Sequence, residues 1–444
     1  MLPAYISAVI QSTLNPENIF DLVLKHRQFV MLFGFTFNFL LILRFGLPAF
    51  LFFLFFEVSK FYIFGDRFLG ENLVVYPLVY LLFLSWEKLN KMKIKKFDLI
   101  FTAIFAWLVI FLRETFIPVA IFLFLFIALP VKRKEKVKIY SLLLLLVLSV
   151  GSLISVNFKD YYFNIFEANK VFFAQNSNQS LNMLFYPLLI LTSNKWNIFR
   201  ILLVGIDVLF ISSLLYLVLK RNFKFLFLLI PLMLANIRVV EPGRIFYESF
   251  HMVPFYGLFL SSAFLLVGEL RKHDKKIFGI SLLVILFLFL SYVLSPHVFF
   301  REKANQHEEF ITNYGNILQV GSVIKILSKE DSKIFIDGFD EAIYWVSQSQ
   351  SSYKYSMYTS IMPNFKIFSD ARLQMFKKNP PDYYYGSCPK EKNLERLMPN
   401  QFGSQYVRLN AYGKPSCIFV KEDRIKDITI EQWKKAKEFG YELP

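Results

Sequence analysis

The chain has 444 residues, of which 55% are hydrophobic, 18% aromatic and only 19% charged. Soluble domains carry about 25% charged residues, so this composition excludes a disordered, collagen-like or disulfide-scaffold protein and argues against an ordinary soluble enzyme. The net charge of +16 does not require a nucleic-acid partner, because membrane proteins collect Lys and Arg in their cytoplasmic loops. We therefore predict a polytopic α-helical membrane protein. Its expected partner is the lipid bilayer, and no nucleic-acid partner is expected.

Charge divides the chain into two parts. Residues 1–295 hold 29 Lys and Arg against 16 Asp and Glu, a net +13, whereas residues 296–444 hold 21 against 18, a net +3. The first part consists of apolar blocks separated by short charged clusters, and the second has the mixed composition of a soluble domain. We predict a transmembrane domain over 1–295 and an extracytoplasmic α/β domain over 296–444.

Ten apolar runs approach or reach the length that crosses a bilayer as a helix. They are residues 28–43, 46–64, 72–86, 97–112, 115–130, 139–158, 197–219, 225–238, 252–268 and 277–295. Several are shorter than about 18 residues, which indicates tilted, broken or re-entrant helices. Residues 184–191 suggest one further interfacial or re-entrant segment, so the fold class expected has about 10–11 membrane helices.

Four clusters rich in Lys and Arg predict the orientation. They are residues 87–96, 131–138, 220–224 and 269–276. All four can lie in the cytoplasm, because an even number of predicted spans separates each cluster from the next. The last span then runs outward, which places residues 296–444 outside a plasma (inner) membrane. Residues 1–26 would also lie outside with no helix to carry them across, which predicts that an upstream helix is missing.

Charged residues in the predicted outward loops form three groups. They are Asp66, Arg67 and Glu71; Arg113 and Glu114; and Arg238, Glu241, Arg244, Glu248 and His251. The planar guanidinium of Arg suits phosphate because it makes bidentate charge-assisted hydrogen bonds. Together the groups indicate a site for a charged, lipid-borne ligand, although any single residue could equally cap a helix or extend to the interface.

Two other features lie within predicted spans. Asp207 is an acid inside residues 197–219, and intramembrane acids are candidates for function; a neutral, hydrogen-bonded Asp fits equally well. Glu57 and Lys60 are three residues apart on a predicted helix, which predicts a local ion pair.

Metal and redox signals are weak. Glu248 and His251 have i, i+3 spacing, which alone is a poor indication of a metal site, so no cofactor is predicted and a divalent cation has no clear site. Cys388 and Cys417 both lie in the predicted outer domain, where a disulfide and two free thiols are equal alternatives.

The second part alternates strand and helix patterns. Residues 333–337, 382–385 and 417–420 predict strands, and residues 305–328, 340–346, 368–378 and 429–439 predict helices. This alternation predicts a small α/β domain. Its many tyrosines could bind sugar faces or could belong to its core.

In motif order the chain resembles the GT-C superfamily, the glycosyltransferases that use polyprenyl-phosphate sugars, such as protein O-mannosyltransferases and lipid A aminoarabinose transferases. The resemblance rests on Gly70-Glu71-Asn72-Leu73, residues 112–118 (LRETFIP), Gly243-Arg244-Ile245-Phe246-Tyr247 with His251 and Pro254, residues 336–344 (IDGFDEAIY), and Pro381-Asp382-Tyr383.

The resemblance implies transfer of a sugar from a polyprenyl-phosphate donor to a glycan, lipid or protein acceptor outside the cytoplasm. It implies that basic residues bind the donor phosphate and that acidic residues orient them. The expected basic residues are Arg113, Arg238, Arg244 and His251, and the expected acidic ones are Asp66, Glu71, Glu114 and Glu248.

The family's catalytic acid lies in the first outer loop. Glu17 and Asp21 do not match its position, so that acid is expected upstream of Met1 and the chain as given could be inactive. Two alternatives of other classes stay open: a transporter or flippase of a lipid-linked substrate, and a non-catalytic envelope protein.

Overall fold

The computed structural model describes residues 2–129, 136–163, 198–235, 250–295, 315–338, 340–355, 362, 365–386 and 400–444. The chain divides into two compact units, Met1–Lys303 and Ala304–Pro444. The described residues of the first unit are helical, and those of the second surround a six-stranded sheet.

The described residues of the first unit form twelve α-helices. They are α1 (Leu2–Leu14), α2 (Ile19–Phe45), α3 (Leu47–Ser59), α4 (Gly70–Leu89), α5 (Lys96–Leu112), α6 (Ile117–Ala128), α7 (Lys136–Ile154), α8 (Phe158–Tyr162), α9 (Ile198–Leu219), α10 (Leu226–Ala235), α11 (Val253–His273) and α12 (Lys275–Val293). Each of the ten predicted apolar runs coincides with one helix from α2 to α7 or from α9 to α12. Residues 184–191 lie outside the described part.

Five of the described helical stretches are long and apolar enough to cross a membrane. They are Ile19–Phe45, Val137–Ile154, Ile198–Leu219, Phe250–His273 and Lys275–Val293. Several helices also present large apolar side chains at their surface, among them Phe35 (68% exposed) on α2, Val147 (65%) on α7 and Phe287 (69%) on α12. Extended apolar surfaces of this kind are rare on monomeric soluble proteins and suit contact with lipid.

Local chemistry sets the helix boundaries. The side chain of Asn18 caps α2 by accepting hydrogen bonds from the backbone N–H groups of Phe20 and Asp21, both at 3.0 Å. Gly46 separates α2 from α3 with φ +67°, a conformation that glycine adopts without steric cost. Helices α4 and α11 are buried along most of their length and form the centre of the unit.

The described parts of the four Lys- and Arg-rich segments lie at one end of the unit, which we call the basic pole. Nζ of Lys224 donates to Oδ1 of Asn90 at 2.9 Å, so the turn before α10 contacts the turn after α4. Nδ2 of Asn222 lies 3.4 Å from Oε1 of Glu269, near the end of α11. The start of α7 is at the same pole, because Oγ of Ser141 donates to a carbonyl near the start of α5.

A buried ion cluster ties three helices together at the basic pole. Arg44, at the end of α2, donates to both carboxylate oxygens of Asp98 at 2.9 Å and to those of Glu87 at 2.9 and 2.6 Å. The hydroxyl of Tyr80 donates to Asp98 at 2.9 Å. The cluster joins the end of α2 to the end of α4 and the start of α5.

The described residues of the second unit contain six strands and six helices. The strands are β1 (Lys333–Asp337), β2 (Gln350–Ser351), β3 (Tyr383–Gly386), β4 (Tyr406–Ala411), β5 (Lys414–Lys421) and β6 (Tyr441–Glu442). The helices are α13 (Asn316–Leu327), α14 (Ala342–Ser347), α15 (Lys366–Lys378), α16 (Asn400–Gly403), α17 (Glu422–Ile425) and α18 (Ile430–Glu438). The strand order is β2-β1-β3-β5-β4-β6.

The sheet is mixed. Strand β1 is parallel to β2 and β3, whereas β5 is antiparallel to β3 and β4, and β6 to β4. The strands predicted at 333–337, 382–385 and 417–420 correspond to β1, β3 and β5. Strand β4 was not predicted; it joins β5 through Tyr412 and Gly413, which both have positive φ.

Several of the described tyrosines of the second unit belong to its core, whereas Tyr412 is 72% exposed. Tyr383 and Tyr384 are fully buried, and Tyr353 and Tyr385 are nearly so. Their rings are therefore not available as platforms for a sugar. Cys417 is disulfide-bonded, which favours the disulfide over free thiols; Cys388 lies outside the described residues.

Candidate functional site

A buried carboxylate joins two of the predicted outward groups. Glu71 lies in the first turn of α4 with its side chain 4% exposed. Its Oε1 lies 2.9 Å from Nε of Arg113, at the end of α5, and 2.9 Å from Nδ1 of His251, just before α11. We call this end of the helical unit the Glu71 pole. Three chain segments that are distant in sequence thus converge on one oxygen atom.

Gly70 makes this convergence sterically feasible. A Cβ atom at Gly70 would lie 2.4 Å from the carbonyl oxygen of Leu112, closer than real Cβ contacts allow. The start of α4 therefore touches the end of α5 only because residue 70 has no side chain. The next residue but one, Asn72, donates from Nδ2 to the carbonyls of Phe64 and Arg67 at 2.9 and 2.7 Å, which anchors the loop that leads into α4.

Arg113 lies between two carboxylates. Its Nη1 is 3.6 Å from Oε1 of Glu114, and its side chain remains 26% exposed. The two carboxylates Glu71 and Glu114 face the two basic residues Arg113 and His251, so these four described residues carry no excess positive charge. An anionic ligand would need further cations; Arg238 and Arg244, predicted for this role, and Glu248 lie outside the described residues.

Asp66 contacts a cation that is not among the four basic residues it was expected to orient. Its Oδ2 lies 3.6 Å from Nε of Arg27, in α2. Two residues on, the ring of Phe68 packs edge-on against His26 at 4.7 Å between centroids. The loop between α3 and α4 thus connects the Glu71 cluster to the start of α2, a contact for which the sequence carried no signal.

Polar side chains inside the helical unit differ in whether they have hydrogen-bond partners among the described residues. Nζ of Lys60 lies 2.5 Å from Oε2 of Glu57, which confirms the predicted pair. Tyr76 and Asn38 also donate to Oε1 of Glu57, at 2.7 and 2.8 Å. Asp207, in contrast, is fully buried in α9, and neither of its carboxylate oxygens has a hydrogen-bond partner in the part of the chain that is described.

Within the described ranges, no group of three or more His, Cys, Asp or Glu side chains could hold a metal ion. Comparison of the chain with protein-family models, curated proteins and solved structures found no match. The GT-C resemblance therefore stays a prediction, and the function must be argued from the geometry of the Glu71 pole.

Proposed function

We propose that this protein is a polytopic glycosyltransferase of the cell envelope. It transfers a sugar from a polyprenyl-phosphate donor to a glycan, lipid or protein acceptor on the extracytoplasmic side of the plasma (inner) membrane. The observation that supports this best is the pairing of Arg113 and His251 on Glu71, at an interhelical turn of an apolar helical unit.

Two independent features support the orientation. The described parts of the Lys- and Arg-rich segments lie at the basic pole, and such segments are retained in the cytoplasm. The Glu71 pole involves the opposite ends of α4, α5 and α11. In addition, Cys417 is disulfide-bonded, and disulfides persist in oxidising compartments outside the cytoplasm. The first feature favours an extracytoplasmic Glu71 pole, and the second favours an extracytoplasmic second unit.

The geometry suits stabilisation of a departing lipid phosphate. Arg113 approaches Glu71 through Nε and Glu114 through Nη1, so Nη2 is the nitrogen of its fork that can reach a phosphate oxygen. His251 approaches through Nδ1, so Nε2 is the nitrogen left for the ligand. Negative charge grows on the phosphate as its bond to the sugar breaks, and fixed donors aimed at that charge lower the barrier. Glu71 holds both donors and need not touch the ligand itself.

The direct test is sugar transfer by the full chain in isolated membranes supplied with a panel of radiolabelled polyprenyl-phosphate sugars. Arg113→Ala should lower kcat at least about 100-fold, as loss of one charge-stabilising donor does, and His251→Gln should also impair transfer. Arg271→Ala, at the basic pole, is the matched control and should transfer at the wild-type rate. Wild-type rates in both site variants would remove these residues from the site, and no transfer by the wild type from any donor would count against the proposed activity.

A transporter or flippase of a lipid-linked substrate is the second candidate. It is favoured by the ionisable residues buried within the helices, Asp207 and the Glu57–Lys60 pair. Proteoliposomes distinguish the two: a flippase moves the lipid-linked sugar across the bilayer chemically unchanged, whereas the transferase consumes it only when an acceptor is present.

A further inference from the structure

Ser7 and His26 form a hydrogen-bonded pair at the Glu71 pole. Oγ of Ser7, in α1, lies 2.8 Å from Nε2 of His26, in α2. The second ring nitrogen of His26, Nδ1, lies 2.7 Å from the carbonyl oxygen of Leu22. A hydroxyl next to an imidazole that a third group orients is the arrangement that activates a serine nucleophile.

The surrounding hydrogen bonds determine the direction of the Ser7–His26 contact. A carbonyl oxygen can only accept, so Nδ1 of His26 is the donor, and in the neutral imidazole Nε2 then presents its lone pair. Gln11 donates from Nε2 to Oγ of Ser7 at 3.0 Å. The hydroxyl of Ser7 therefore donates to His26, and the imidazole is oriented to take the proton of Ser7.

Ser7 differs from many of the other helical hydroxyls in the described residues. Serine and threonine inside a helix ordinarily donate to a carbonyl one turn earlier. The hydroxyls that follow this rule include those of Ser12, Thr13, Thr36, Ser85, Thr102, Ser152 and Ser261. Ser7 instead faces a side chain from another helix. Among the described histidines, His251 contacts a carboxylate and His273 an amide, so His26 alone is paired with a hydroxyl in these ranges.

We propose that Ser7 is an activated nucleophile and His26 its general base, in a site for carboxylic esters at the membrane surface. Oγ of Ser7 bonds to the ester carbonyl carbon while its proton passes to Nε2 of His26. The carbonyl electron pair moves onto oxygen, where the Gln11 amide donates to the oxyanion. Collapse of this tetrahedral intermediate breaks the bond between the carbonyl carbon and the alcohol oxygen, and the alcohol leaves with the proton from His26. Water then attacks the acyl group on Ser7 by the same steps. The carboxylic acid is released and Ser7 is restored.

The position of the pair suits a substrate at the bilayer interface. His26 precedes the apolar run 28–43, and Ser7 is half-buried, so both water and an acyl chain can approach. The ring of Phe68 provides an apolar wall beside the imidazole. The pair lies next to the loop that leads to Glu71, but its chemistry does not depend on sugar transfer.

Labelling of the full chain in its native membranes with a biotinylated fluorophosphonate, located by mass spectrometry of peptides, tests the proposal. The wild type should be labelled at Ser7 and should hydrolyse p-nitrophenyl butyrate, and Ser7→Ala should lose both. His26→Gln can still bond to Ser7 but is not a base, so labelling should slow at least about 100-fold. Ser12→Ala is the matched control on the same helix and should behave as wild type.

A merely structural bond between α1 and α2 gives a different pattern. Ser7→Ala and His26→Gln would then change thermal unfolding of the detergent-solubilised protein, while Ser7 of the wild type would not react. The proposal is overturned by an unlabelled wild-type Ser7, by equal labelling rates in wild type and His26→Gln, or by ester hydrolysis that survives in Ser7→Ala. None of these measurements depends on sugar transfer. They therefore test the Ser7–His26 proposal independently of the proposed glycosyltransferase activity.

Discussion

Nδ1 of His251 lies 2.9 Å from Oε1 of Glu71, although 180 residues separate them in sequence. Nε of Arg113 lies at the same distance from the same oxygen. Because one carboxylate positions both donors, their contributions to catalysis should depend on each other. Glu71 is therefore expected to act through Arg113 and His251 rather than on the substrate.

This dependence gives the first prediction. Glu71→Gln should lower sugar transfer, and in its background His251→Gln should cost less than it does in the wild type. Contacting residues of one network show coupling energies of about 0.5–3 kcal/mol. A double-mutant cycle on kcat/KM measures this coupling. Strictly additive effects of the two changes would mean that Glu71 does not position His251.

Gly70 gives the second prediction. Gly70→Ala should push the start of α4 away from Leu112, whose carbonyl oxygen would lie 2.4 Å from the new Cβ. Glu71 would then lose its contact with Arg113, so transfer and thermal stability should both fall. Gly151→Ala, within α7 and with open space around the position, is the matched control and should be neutral or stabilising by up to about 1 kcal/mol. Equal behaviour of the two variants would contradict this account of Gly70.

The Arg44 cluster gives the third prediction. Arg44→Ala leaves Asp98, whose side chain is 3% exposed, and Glu87 without their shared cation. Removing one partner of a buried ion pair costs about 3–5 kcal/mol, so the free energy of unfolding in mixed detergent micelles should fall by that order. Arg271→Ala, exposed at the same pole, should change it by less than about 0.5 kcal/mol. A similarly small effect at Arg44 would show that the cluster adds little stability.

Asp207 gives the fourth prediction. Its two oxygens are buried in α9 without partners among the described residues, and an unsatisfied buried polar group costs about 1–3 kcal/mol. Asp207→Leu should therefore keep or raise the free energy of unfolding while sugar transfer is retained. Val208→Leu, on the exposed side of the same helix, is the matched control. Loss of activity in a stably folded Asp207→Leu would show that this carboxyl functions directly and would favour the transporter.

The second unit gives a pH-dependent prediction. Burial raises the pKa of the Asp337 carboxyl above its ordinary value of 3.8, and the opposing effects of Arg372 and Tyr384 do not cancel the shift. The folded state then binds a proton more readily than the unfolded state. The contribution of Asp337 to stability is therefore largest at low pH and declines as the pH rises through the raised pKa.

Hydrogen exchange of the β1 and β3 amides, corrected for intrinsic rates, measures this contribution in the full chain. The opening free energy of the wild type relative to Asp337→Asn should be larger at pH 4.5 than at pH 7. A constant difference between the two proteins across that range would mean that the pKa of Asp337 is not raised on folding.

Elements with a strong local signal were predictable. Long apolar runs, several of them shorter than a bilayer span, predicted α2 to α7 and α9 to α12, and compact apolar runs predicted β1, β3 and β5. Strand β4 was missed because Arg408 and Asn410 interrupt its apolar pattern, and because its turn, Tyr412-Gly413, lacks the Asn-Gly or Asp-Gly signature of tight hairpins.

Contacts between distant segments were only partly predictable. The alternation of predicted membrane spans with basic clusters predicted that Glu71, Arg113 and His251 lie on the same side of the membrane. No sequence signal indicated that Arg113 and His251 would both contact one oxygen atom of Glu71. The Ser7–His26 bond was not predicted because Leu2–Leu14 is too short to span a bilayer and its sequence does not indicate that it packs against α2. Such pairs depend on how helices pack, which periodicity does not encode.

Everything proposed for Glu71, Arg113 and His251 depends on the Glu71 pole lying outside the cytoplasm. A membrane-impermeant maleimide applied to intact cells measures this directly on three variants that each add one cysteine to the wild type, whose Cys417 is disulfide-bonded. Glu17→Cys, just before α2, and Asp423→Cys, in the second unit, should react in intact cells, whereas Lys93→Cys, at the basic pole, should react only after lysis. Reaction of Lys93→Cys in intact cells, with Glu17→Cys protected until lysis, would contradict the orientation and the proposed site.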